Sequence, residues 1–147
     1  MLRTEFQFGK FAEPARESLI SDTESQLGVR LPNQLRNLYL ECDGFREDRG
    51  NAKYLLSLQD EDHIGSLLSM TRFYWTEFAD TWPNLDLKPF VFFGSSSGDE
   101  AWGIQWQGEQ KIIAFHHHME GEYEVVGSNI IEVYRADYRR YDEVGEA

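Results

Sequence analysis

Three consecutive histidines, His116-His117-His118, are the residues whose type and spacing come nearest to a reactive centre. On a β-strand His116 and His118 point to the same face, about 7 Å apart at the usual rise per residue. Two imidazoles so placed could share a metal ion, with Glu120 or Glu122 completing the ligand set. Nothing else in the chain supports such a centre. There is no HExxH, there is no cysteine pair, and His63 is the one remaining histidine. The three histidines read as a solvated sheet face beside a turn, and no metal is expected.

Gly94-Ser95-Ser96-Ser97-Gly98 has the small residues of a phosphate cradle. It lacks the lysine and following helix of a P-loop and runs instead into Asp99-Glu100, two carboxylates that repel phosphate. Its serines have no GxSxG context for a nucleophile elbow. Glycosidase chemistry needs two carboxyl groups about 5–9 Å apart across a cleft, and with 26 acidic residues chance pairs are common. The runs Glu47-Asp48, Asp60-Glu61-Asp62, Asp99-Glu100 and Glu120/Glu122/Glu124 read as solvated faces, or more sharply as an acidic docking patch. Cys42 falls on an apolar helical stripe and reads as a small core residue rather than a nucleophile. No catalytic residue and no cofactor is expected.

The charge balance narrows the partners. Fourteen basic against 26 acidic residues give a net charge of -12. Such a surface repels nucleic-acid phosphates and anionic lipid, and it draws in basic proteins. The single cysteine excludes an intramolecular disulfide. Arg3, Glu5 and Lys10 with no apolar run behind them do not make a signal peptide. The run Phe90-Val91-Phe92-Phe93 is far too short to span a bilayer. A cytoplasmic setting is the expectation.

The elements that position these residues follow from periodicity. A chain of 147 residues suits one domain, residues 1–147, able to bury about 70% of its unfolded surface. Residues 1–12 read as frayed or as a short edge. Pro14 suits the first turn of a helix whose face carries Ala15, Leu19, Ile20, Thr23 and Leu27, with Gly28 as its left-handed stop. Leu31-Pro32 opens a second helix with Leu35, Leu38, Tyr39 and Cys42 on its stripe, ended by Gly44. Residues 45–51 read as a polar loop and Lys53–Leu58 as a strand. Asp60-Glu61-Asp62 then lead into one long aromatic helix carrying Ile64, Leu67, Leu68, Thr71, Tyr74, Trp75, Phe78 and Trp82. Beyond Pro83 the period changes from 3.6 to 2. Phe90–Phe93, Glu100–Trp106, Gln110–His118 and Glu122–Val126 read as strands of a meander, with Trp102, Ile104 and Trp106 on one face. Ser128 is the expected N-cap of a last helix carrying Ile131, Tyr134, Tyr138 and Tyr141, with Arg139-Arg140 at its end. The fold class is α+β: a single antiparallel sheet with N-terminal, middle and C-terminal helices packed around it.

Four pieces in order resemble a known superfamily. Glu24-Ser25-Gln26-Leu27-Gly28-Val29-Arg30-Leu31-Pro32, leading to Asp43-Gly44, is similar to the E-x-x-LG-x-x-LP opening of the SUKH superfamily. Pro89–Gly94 and Gly98–Ile104 resemble its middle strands, and Gly127–Tyr134 its closing helix. The branch it looks like is the one named after the yeast Smi/Knr cell-wall regulator. The aromatic helix around 64–82 is longer than the connection such a relationship leads one to expect. The resemblance implies an α+β fold with no catalytic residues and no cofactor. It also implies, for bacterial members, an immunity protein that binds and neutralises a cognate toxin, often a nuclease. The runner-up role is a non-catalytic regulatory or scaffold module of the cell-wall-regulator type. Asp43, Glu47, Asp48, Asp99 and Glu100, on the two Gly-containing loops, are the expected acidic contacts to a toxin with a basic surface.

Overall fold

The first helix ends where Gly28 stops it. The structure, a computed structural model, describes residues 9–47, 54–59, 66–81, 85–95, 100–116 and 123–136. Helix α1 (Glu17–Leu27) buries Ile20, Thr23 and Leu27. Gly28 follows at φ 74°, and its N–H and that of Val29 both donate to the Glu24 carbonyl. Helix α2 (Asn33–Glu41) buries Leu35, Leu38 and Tyr39, and Cys42 behind it is fully buried. The structure moves the start of α1: Arg16 is the N-cap, so Pro14 lies ahead of the helix rather than in its first turn.

Among the described residues, seven strands form one antiparallel sheet in which each strand pairs with its neighbours in the chain. They are β1 (Gly9–Phe11), β2 (Phe45–Glu47), β3 (Tyr54–Leu55), β4 (Phe90–Ser95), β5 (Glu100–Gln105), β6 (Ile112–His116) and β7 (Tyr123–Gly127). The 45–51 segment is thus not wholly a loop. Phe45 pairs with Phe11 on one side and Leu55 on the other, and its buried ring stacks on Phe11 at 4.9 Å. A polar Phe-Arg-Glu strand carries too little alternation to be seen from sequence.

The sheet's two faces separate cleanly by strand alternation. Val91, Phe93, Trp102, Ile104, Ile112 and Ala114 belong to one cluster with α1, α2 and the last helix. Phe90, Phe92, Ala101, Ile113 and Phe115 belong to a second, closed by Tyr74 and Leu87. Fully burying each such Leu, Ile or Phe contributes about 1.5–3 kcal/mol, so both faces stabilise the sheet. Gly103 sits between the second-face aromatics. A Cβ there would lie 3.1 Å from a Phe92 ring carbon and 3.2 Å from the Phe90 Cβ, which is why this strand position is glycine.

The middle of the chain departs most from expectation. Helix α3 (Leu67–Trp75) and helix α4 (Glu77–Thr81) replace the single long helix. Thr76, at φ -118° and ψ -80°, leaves helical geometry, and its hydroxyl donates back to the Arg72 carbonyl at 2.7 Å. Helix α3 starts at a Ser66/Ser69 capping box, Ser69 N–H donating to Ser66 Oγ at 3.1 Å and Ser66 N–H to Ser69 Oγ at 2.8 Å. Asp60-Glu61-Asp62, Ile64 and Trp82 lie outside the described residues.

The position of α3 has a physical cause. Among the described residues, β3 pairs with Gly94 and Ser95 of β4 and no strand lies beside the first half of β4 on that side. Helix α3 fills the gap. The Phe92 N–H donates to Thr71 Oγ at 3.0 Å, and the Trp75 indole N–H donates to the Phe90 carbonyl at 2.8 Å. Side chains of a helix thereby complete the outer hydrogen bonds of a strand.

The last helix, α5, spans 130–136 of the described residues. Its cap is Asn129, not Ser128: the Glu132 N–H donates to Asn129 Oδ1 at 3.0 Å. Ile130, Val133 and Tyr134 are buried. Tyr138, Tyr141 and Arg139-Arg140 lie outside the described residues.

Candidate partner-binding surface

The sequence resemblance rests on residues that the fold consumes. Glu24 accepts the Leu31 N–H at 2.7 Å on one carboxylate oxygen and the Arg36 guanidinium at 2.5 Å on the other. It therefore ties the end of α1 to the start of α2. Gln34 does the same between α2 and α5: its amide nitrogen donates to the Ser128 carbonyl at 2.9 Å and to Gln110 Oε1 at 3.0 Å. Its oxygen accepts the Ile130 N–H at 2.8 Å. Beside it, Asn37, Leu38, Glu41, Asn129 and Ile131 line a half-open groove of about 350 Å³.

Asp43 is also turned inward. It is 8% exposed, and its Oδ1 accepts the Leu58 N–H at 2.7 Å. Burial pushes its carboxyl above the ordinary range, and hydrogen bonds from the Leu58 N–H and the Ser57 side chain pull it partly back. Asp43 thus lies at the floor of a polar groove of about 590 Å³ rather than on an outer rim. Exposed Glu13 and Asp22 stand on its walls with Arg16 and Gln59. Sequence spacing gave no sign of this convergence, because Glu13, Asp22 and Asp43 meet only once α1 is laid beside the start of β2.

The described members of the five expected contact residues, Asp43, Glu47 and Glu100, do not lie at one end of the sheet. Register places Glu47 at the end of β2 and Glu100 at the start of β5, at the same end of the sheet. Asp43 precedes β2 and lies at the opposite end. Asp48 and Asp99 lie outside the described residues. His116 ends β6 directly opposite Glu100, while His117, His118, Glu120 and Glu122 lie outside the described residues. Among the described residues no group of three His, Cys, Asp or Glu is placed to hold a metal ion. No helix there is long and apolar enough to cross a membrane.

One surface feature was overlooked at the sequence level. Strand β7 ends the sheet order, and Tyr123, Val125 and Val126 are 39%, 56% and 40% exposed. The available signal was its place as the last strand of a meander, which makes it an edge.

The search of curated proteins gives no match to this chain. The SMI1 / KNR4 family (SUKH-1) matches it over residues 14–135, from just before α1 into α5. With the Glu24 clasp, the Gly28 stop, the Asp43 anchor and the antiparallel sheet in that order, the chain belongs to the SMI1 / KNR4 (SUKH-1) family.

Proposed function

We propose that this protein is an immunity protein, which binds a cognate bacterial toxin and neutralises it by covering its working surface. The family is generally non-catalytic, and a SUKH domain fits this role. The observation that carries the reading is the charge. A net -12 sits on a fold whose polar groove is walled by exposed Glu13 and Asp22, with Arg16 the one cation among its described lining residues. Carboxylates presented in this way complement a basic surface such as a nuclease's substrate channel, and they speed encounter with it. Binding would be inhibition by occlusion, in a cytoplasmic setting, with no cofactor.

Co-expression with a candidate cognate toxin domain is the test. Relief of toxicity and a one-to-one complex on mixing the purified proteins are expected; neither appearing would sink the reading. The second reading, a regulatory or scaffold module, is favoured by the family match itself, which includes the SMI1 / KNR4 type. A gene setting free of toxin genes distinguishes it.

A further inference from the structure

We draw no further inference here: the strongest candidate, the polar groove between α1 and the segments entering β2 and leaving β3, belongs to the surface already described and is an acidic cluster whose buried carboxylate, Asp43, already accepts the Leu58 N–H and the Ser57 side chain.

Discussion

Glu24 shows how a family signature can be architectural. Its two carboxylate oxygens hold the Leu31 N–H and Arg36, closing the turn between α1 and α2 around Gly28. Replacing it with alanine should cost about 1–3 kcal/mol, since the half-buried Leu31 amide and Arg36 lose their acceptors. A drop in the urea midpoint with an unchanged m-value would register that loss; an unchanged midpoint would mean that solvent replaces the clasp. Asp43 makes a sharper prediction because it titrates. Its folded-state pKa is raised by burial, so the folded protein holds the proton more tightly than the unfolded chain. The contribution of Asp43 to stability is full in acid, below the unfolded value near 3.8, and is lost as pH rises through the raised folded value. Asp43→Asn keeps an oxygen for the Leu58 N–H and carries no charge. Wild type should therefore lose stability relative to Asp43→Asn as pH climbs toward neutral, measured by urea melts across that range. A pH-independent difference between the two would overturn the assignment. Asp43→Ala should be worse at every pH by about 1–3 kcal/mol, because it strands the buried Leu58 amide.

At the scale of elements, α3 substitutes for a strand. Thr71, fully buried, supplies the acceptor for the Phe92 N–H, and Trp75 the donor for the Phe90 carbonyl. Thr71→Val preserves shape and leaves that amide unpaired, so a loss of about 1–3 kcal/mol is expected, with faster exchange of the Phe92 amide proton. Thr71→Ser should recover most of it. If valine exchanges no faster than threonine, the helix is packed against the strand without completing it. The same region shows what the sequence concealed. Leu67, Thr71, Tyr74 and Phe78 keep a 3.6-residue rhythm straight across the break at Thr76, and a hydrophobic period cannot register one residue leaving helical geometry. The cap was hidden because its third position is Ser69 instead of a glutamate. By contrast α1, α2 and β4–β6 were legible, because Gly28 and the two-residue alternation around Trp102 and Ile113 are local signals. The groove was not legible. Glu13, Asp22 and Asp43 are distributed over three segments whose meeting depends on tertiary packing.

For the whole molecule, the surplus of 26 acidic over 14 basic residues should govern how fast a partner arrives. Screening shortens from about 30 Å at 0.01 M salt to about 3 Å at 1 M. The association rate with a basic partner should fall steeply over that range while dissociation changes less. Stopped-flow mixing at successive salt concentrations measures both, and a salt-independent association rate would remove charge from the recognition. The strictly sequential strand order also bears on how a nascent chain matures. Strands β1, β2 and β3 leave the ribosome first but are too short to hold a stable hairpin. They gain their lasting neighbour only when β4 follows, and β4 is itself secured by the hairpins beyond it. The short strands made first thus depend for their place in the sheet on a strand made after them.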